Sequence, residues 1–234
     1  MSRICTICAR GGSKGVKNKN IKILLDKPLI AHSIHQAKKS GLFDVVAVSS
    51  ESREILKISG ENGADLLIQR PMELATDNAA KIPVIQHCLA TAEEITGKSF
   101  NTIVDLDATS PLRLVTDIVQ AVEMFEHSDA SNLITAMKSR RSPYFNLVEI
   151  NKEGFVELSK KMIDPIIRRQ DSPKCYDMNA SIYVWRKETL LDSSSVFQSN
   201  TILYEMPEER SIDIDSELDF EIVSLLAKKR GGLI

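Results

Sequence analysis

No apolar run in this chain approaches the roughly 20 residues needed to cross a bilayer. Its first residues, Met1 to Cys8, pass directly into a strand-like pattern, without the long apolar region and small-residue cleavage site of a secretory signal. Cysteine is sparse, at 5, 8, 88 and 175. A chain of 234 residues buries enough core to need no disulfide framework or structural metal. Cys5 and Cys8 have CxxC spacing but fall inside an expected strand, where residues three apart point to opposite faces. A redox pair sits at a helix N-terminus, so these two read as core. Neither sign of charge dominates: 30 Lys and Arg against 32 Asp and Glu give a net charge of −2. That balance excludes broad binding to nucleic acid or to an anionic membrane surface. The four histidines, 32, 35, 87 and 127, have no metal-ligand spacing, and no Ser-His-Asp order or nucleophile elbow occurs. A reducing, cytoplasmic location is expected.

What is present is an alternation of strand and helix patterns. Strands are expected over 4–9, 45–48, 65–68, 102–106, 132–137, 180–185 and 202–206. Helices are expected from Pro28 to a stop at Gly41, and over 51–59, 82–95, 115–125 and 216–228. Such βα alternation predicts an α/β fold with a mostly parallel, doubly wound sheet and right-handed crossovers. The rhythm breaks over about 139–179, where Pro143, Pro165 and Pro173 occur and Gly154 separates two short β-like runs. That stretch reads as a small hairpin-rich insertion in a single domain spanning 1–234, and as a place for a dimer contact. Ligands of open α/β sheets bind beyond the carboxyl ends of the strands. The loops after Ala9, Ser49, Ile68 and Leu106 are therefore the ones to inspect.

The first of these reads Ala9-Arg10-Gly11-Gly12-Ser13-Lys14-Gly15, followed by Lys17, Lys19 and Asn20. Glycines let backbone N–H groups close on a phosphate, and Arg10 and Lys14 add positive charge where a triphosphate would lie. The spacing matches neither GxxxxGK[ST] nor GxGxxG. A flexible basic loop is the plain alternative, and its place after the first strand favours phosphate. Near the C-terminus, Asp213-Ile214-Asp215 puts two carboxylates on one side of an extended segment, which suits one hard cation such as Mg²⁺. Acidic residues before a helix also serve as caps and dipole partners. At the end of the 102–106 strand, Asp105-Leu106-Asp107-Ala108-Thr109-Ser110-Pro111-Leu112-Arg113 offers polar side chains for a substrate, or caps for the next helix.

Five ordered blocks, running from residue 4 to about 226, resemble the CMP-acylneuraminate synthetase family. They are the first loop, Arg70-Pro71-Met72-Glu73-Leu74-Ala75 with Asp77, Thr109-Ser110-Pro111-Leu112-Arg113, Asn179-Ala180-Ser181-Ile182-Tyr183, and Ile212 to Asp219. The resemblance implies a Rossmann-like nucleotidyltransferase fold whose inserted subdomain dimerises and reaches over the partner's active site. It also implies that Arg10, Ser13, Lys14 and Lys19 hold the phosphates of CTP. Asn20, Arg70, Asp77 and the backbone of Ala9, Gly11 and Gly12 would complete the CTP site, and Asp213 and Asp215 would bind Mg²⁺. Lys14 and Arg10, with the metal pair, would supply the catalytic electrostatics. Thr109, Ser110, Arg169 and Tyr183 would face the sugar. Two departures bear on which sugar this is. Asp107 stands where sialic-acid-activating members carry glutamine, and Phe145 where some carry lysine. Together with the strings around the first loop, residues 105–113, Pro143 to Leu147 and Tyr176 to Tyr183, they make the legionaminate-activating branch the best match. N-acetylneuraminate and pseudaminate remain alternative acceptors. Outside the family, Asp213-Ile214-Asp215 is formally a DxD of a glycosyltransferase, but that scheme gives the first loop no role. A non-catalytic nucleotide binder would be expected to lose Lys14, Asp213 or Asp215.

Overall fold

The computed structural model describes residues 1–12, 15–76, 79–164 and 166–233. Along the chain run β1 (Arg3–Cys8), β2 (Ile23–Leu24), β3 (Lys27–Pro28), α1 (Leu29–Ser40), β4 (Val45–Ser50), α2 (Arg53–Glu61), β5 (Leu66–Gln69), α3 (Lys81–Thr96) and β6 (Thr102–Leu106). There follow α4 (Val115–Glu126), β7 (Asn132–Lys138), β8 (Val148–Ile150), β9 (Val156–Leu158), β10 (Tyr176–Arg186), α5 (Lys187–Asp192), β11 (Ile202–Glu205) and α6 (Glu217–Arg230). Seven strands form one sheet in the order β11-β7-β10-β6-β1-β4-β5. All neighbours in it are parallel except β10, which runs antiparallel to both β6 and β7. The fold is α/β and Rossmann-like, with a mostly parallel sheet.

The sheet's strands are apolar on both faces because helices cover both. Alternate residues serve opposite layers. Cys5 and Ile7 pack with Ile30 and Ile34 of α1, Ile55 of α2 and Phe125 of α4. Ile4, Ala47, Ile103 and Trp185 pack with Ile85 and Leu89 of α3 and Leu190 of α5. Cys5 and Cys8 divide between these two layers, and all four cysteines are free. A third cluster joins Val16, Leu24, Leu112 and Ile214 to Val223 and Ala227 of α6.

Local signals set the helix ends. Gly41 closes α1 with φ 66, the left-handed value that a Cβ disfavours. At the start of α6, Asp219 N–H donates to Ser216 Oγ at 3.2 Å while Ser216 N–H donates to Asp219 Oδ2 at 2.8 Å, a reciprocal cap. The acidic residues near 215–219 therefore do serve a capping role, carried by Asp219.

The stretch expected to be an insertion carries the two-stranded β8–β9 sheet, with Gly154 in its turn at φ 87. Its end differs from expectation, since β10 begins at Tyr176 and not at 180. Residues 176–178 pair with β7, and their exposed side chains leave no hydrophobic pattern to read. No helix among the described residues is long and apolar enough to cross a membrane.

Phe125 is fully buried between α4 and the sheet, with the Arg186 guanidinium 5.1 Å from its ring centre. Phe125→Ala is expected to lower the free energy of unfolding by about 3–5 kcal/mol, as measured by urea titration. A loss under ~1 kcal/mol would contradict this packing.

Candidate active site

From β1 the chain moves to β4 and β5 on one side, then returns to place β6 on the other. The loops after β1 and β6 therefore leave in opposite directions, and a crevice opens between them. It holds a cavity of about 450 Å³. Arg10, Lys19, Asn20 and Arg70 are in its wall, and so are Asp107, Thr109, Asp213 and Asp215. Residues from all five blocks named above, dispersed in sequence, thus meet at one place or directly behind it. Ser13, Lys14 and Asp77 lie outside the described residues.

The first loop is tied down at several points. Ala9 N–H donates to Ser49 O at 3.0 Å, extending the β1–β4 pairing, and Gly11 N–H donates to Glu51 Oε1 at 2.6 Å. Asn20 Nδ2 donates to Arg10 O at 2.9 Å, which fixes the amide. Its Oδ1 is buried without a hydrogen-bond partner among the described residues. A buried acceptor in a cavity wall is a place for a ligand's N–H group. Arg70, 5% exposed, donates from Nη2 to Ser49 O at 2.7 Å and from Nε to Ser49 Oγ at 3.3 Å. Its five-donor fork is thus anchored to β4 at the cavity edge.

The acidic pair sits on the segment leading into α6. Ile214 points into the third core cluster, and its N–H donates to Thr109 O at 2.9 Å. Alternation along the segment then turns both Asp213 and Asp215 to the cavity. Asp213 accepts from Ala180 N–H at 3.2 Å and closely from the Ser110 hydroxyl. Burial raises its carboxyl above the usual range, against these two hydrogen bonds. Asp215 is open to solvent and accepts from Lys19 Nζ at 3.1 Å, while Lys19 also donates to Ile214 O. No group of three or more ligating side chains occurs among the described residues. Mg²⁺ needs fewer: it is held by one or two carboxylates and completes its shell with water and phosphate oxygens. The donor set fits such an ion. Gly15 packs directly on this segment, and a Cβ there would overlap the Asp215 carbonyl oxygen.

At Asp107, Oδ1 accepts from Thr109 N–H at 3.0 Å and Thr109 Oγ1 at 2.9 Å, and Oδ2 accepts from Lys81 Nζ at 3.0 Å. Burial works against the charge, but Lys81 and Thr109 prevail and hold the carboxyl below its ordinary range. Lys81, in the cavity wall, was not anticipated. It also donates to buried Asp105 at 3.1 Å, and its ammonium lies 4.5 Å from the centre of the Tyr183 ring. The available signal was a lysine in the first turn of a helix, where the dipole repels it.

The remaining expected residues are placed differently. Ser110 is fully buried behind Asp213, so it supports the wall and does not form it; nor does it or Thr109 cap α4, whose N-cap is Leu114. Tyr183 is 3% exposed beneath Lys81. Phe145 is half-buried in the 139–179 stretch. Arg169 donates to Ser139 O at 2.8 Å and lines a second cavity of about 670 Å³, with Lys138, Arg140, Arg141 and Lys174. The two cavities share no lining residue.

The cytidylyltransferase profile matches residues 4–222. A post-translational flagellin modification protein B of Campylobacter coli is 50% identical over 227 residues, covering 97% of this chain and 95% of that one. A CMP-N,N'-diacetyllegionaminic acid synthase of Campylobacter jejuni subsp. jejuni serotype O:2 is 49% identical over 223 residues, covering 95% and 94%. Among solved structures, a CMP:2-keto-3-deoxy-manno-octonic acid synthetase complexed with CTP superimposes with a TM-score of 0.71 at 16% identity, covering 98% of this chain and 100% of that one. That last likeness speaks to the fold.

Gly15→Ala should push the first loop off the Asp213–Asp215 segment without touching the sheet. The expected result is unchanged circular dichroism with CTP affinity reduced about tenfold or more, a cost of ~1.4 kcal/mol or above. Calorimetric titration giving an unaltered affinity would show that the close approach is dispensable.

Proposed function

This chain belongs to the cytidylyltransferase family and is a CTP-dependent nucleotidyltransferase, and from that premise we propose that its acceptor is a nonulosonic acid, N,N'-diacetyllegionaminic acid first among them. The reaction would be in-line attack by the sugar's C2 hydroxyl on the α-phosphorus of CTP, giving the CMP-sugar and pyrophosphate. The observation that carries the reading is the meeting, in one cavity at the sheet's switch point, of a basic glycine loop, an acidic pair and an amide acceptor without a partner among the described residues.

Each group has a part. Arg10 and Lys19 would offset the charge of the triphosphate, and Lys14 belongs with them by its place in the sequence, as Ser13 and Asp77 belong with the rest of the CTP site. The open Oδ1 of Asn20 suits an exocyclic amine such as that of cytosine, with Arg70 beside it. Asp213 and Asp215 would hold Mg²⁺, which supplies neutralisation of the phosphate oxygens as charge builds on them. Catalysis here is positioning and electrostatics. Asp107 and Thr109 would form the sugar end of the site. The half-identical synthase named for a legionaminic acid product supports that choice of sugar.

We also propose a homodimer built on the 139–179 stretch. Ile150, Phe155 and Val156 are 75, 70 and 69% exposed there, an apolar display that water disfavours. Arg169, which lines the second cavity and not the first in its own chain, would then serve the partner's site. A cytoplasmic setting agrees with four free thiols.

Pyrophosphate release from CTP and Mg²⁺, assayed with N,N'-diacetyllegionaminic, N-acetylneuraminic and pseudaminic acids, tests the acceptor. The first should give the highest kcat/KM, and Asp213→Ala should cut turnover by about 10²-fold or more. A better rate with either other sugar reassigns the acceptor, and silence on all three removes it from this sugar class. Light scattering should give twice the chain mass, and a mass of 26.1 kDa would refute the dimer.

A further inference from the structure

Lys81 stands where its own helix disfavours it. As the first residue of α3 it faces N–H groups that carry partial positive charge, and the first turn holds no acidic residue to compensate. Ala80 before it provides no side-chain cap. The compensation comes from outside the helix: Asp105 Oδ2 at 3.1 Å, Asp107 Oδ2 at 3.0 Å and the face of Tyr183 at 4.5 Å. An ammonium has three protons, so these neighbours account for its directions and leave little for a ligand. What Lys81 controls is the carboxylates.

The two differ in what remains open on them. Asp105 is buried, and its Oδ1 accepts from Thr6 Oγ1 at 2.8 Å, so it is satisfied within the sheet. Asp107 lines the cavity. A carboxylate has about four acceptor positions, and among the described residues the three bonds from Thr109 and Lys81 leave one, on Oδ2. That position accepts a single N–H or O–H donor. A carboxylate held so firmly is a weak base, and so it discriminates by hydrogen bonding and not by proton removal. Lys81 also offsets the charge of Asp107, which would otherwise face an anionic sugar acid at close range.

We propose that Lys81 is a positioning residue that fixes Asp107 as a one-donor acceptor for the sugar, and that this pair sets which sugar acids are turned over. The proposal rests on the acceptor assignment made above. Its test separates KM for the sugar from KM for CTP, in Lys81→Met, Lys81→Arg, Asp107→Asn and the K81M/D107N double variant. Lys81→Met should raise the sugar KM about tenfold or more while the CTP KM stays within about twofold, a split that general loosening would not give. Preference among the three sugar acids should flatten with it. Lys81→Arg should recover part of the loss, and the double variant should be no worse than the poorer single one, because one unit is being broken. Asp107→Asn leaves α3 untouched and should give the same sugar-confined change, so misfolding of a Lys81 variant would not rescue or hide the idea. Equal rises in both KM values, an unaltered sugar KM, or additive losses in the double variant would each overturn the role of Lys81. Silence of the unmodified protein on every sugar acid would instead remove the acceptor assignment, and this subsite with it.

Discussion

The site depends on one buried guanidinium. Arg113 has no solvent exposure, yet the groups it holds are neutral: Nη1 donates to Ser181 O at 2.9 Å, and Nη2 donates to Asp107 O at 2.7 Å and closely to the Ser33 hydroxyl. One side chain thereby joins the loop after β6, the antiparallel β10 and the first turns of α1. Burial pulls its pKa down to about 10, with the Asp107 charge the main effect opposing the shift, so it stays cationic near neutrality. A buried charge is tolerated when hydrogen bonds replace its water, and removing one of those partners is costly. The positions of Asp107 and of the β10 backbone at the cavity rim are therefore coupled. Gln36, with its amide donating to Pro111 O, Arg113 O and Leu233 O, ties the backbone of the same arginine to α1 and the chain's C-terminal residues.

The charges around the cavity fall into two kinds. Lys81 with Asp105 and Asp107 is enclosed, and its partners have little freedom to exchange. Lys19 with Asp215 is open on the carboxylate side, 82% exposed. Water screens an ion pair with an exposed carboxylate, so this pair separates more readily than the enclosed one. Asp213 is intermediate: burial raises its carboxyl above the usual range, against the hydrogen bonds from Ser110 and Ala180. The fixed pair lies with the proposed sugar end and the exchangeable pair with the proposed metal and phosphate positions. Selectivity benefits from rigidity, whereas turnover needs groups that release pyrophosphate.

Much of this was legible in the sequence. Hydrophobic runs bounded by glycine, proline and caps located nearly every strand and helix of the main sheet, because burial on both faces leaves an unbroken apolar signature. The first loop and the Asp213–Asp215 pair were legible because their chemistry is local. Lys81 was not, since its partners lie 24 and 26 residues away and its place at a helix start carries no favourable pattern. Arg113 was visible as part of a motif, but its work is done through backbone carbonyls, which no side-chain pattern encodes. The β2–β3 turn was also unmarked: Leu25 adopts φ 58, where glycine or asparagine is the usual signal. Ser110 and Tyr183 were found as site residues but stand one layer back, a distinction that spacing alone does not draw.

The antiparallel strand explains how a peripheral hairpin segment connects with the acidic pair. β10 pairs with β7 from Tyr176 to Met178, and the register shifts before pairing resumes at Tyr183. Within that irregular stretch Asn179 turns inward, accepting from Thr135 Oγ1 at 2.6 Å and donating to Ser211 Oγ at 2.9 Å. The shift frees the next N–H from the ladder, and Ala180 gives it to Asp213. A bulge beside an active site commonly re-aims a group in this way. Here it re-aims a backbone donor onto a carboxylate that must otherwise carry its charge in a buried place. The segment 139–175 enters β10 only a few residues before this point. A regular strand in place of the bulge would keep the sheet intact and leave Asp213 with the Ser110 hydroxyl as its remaining support.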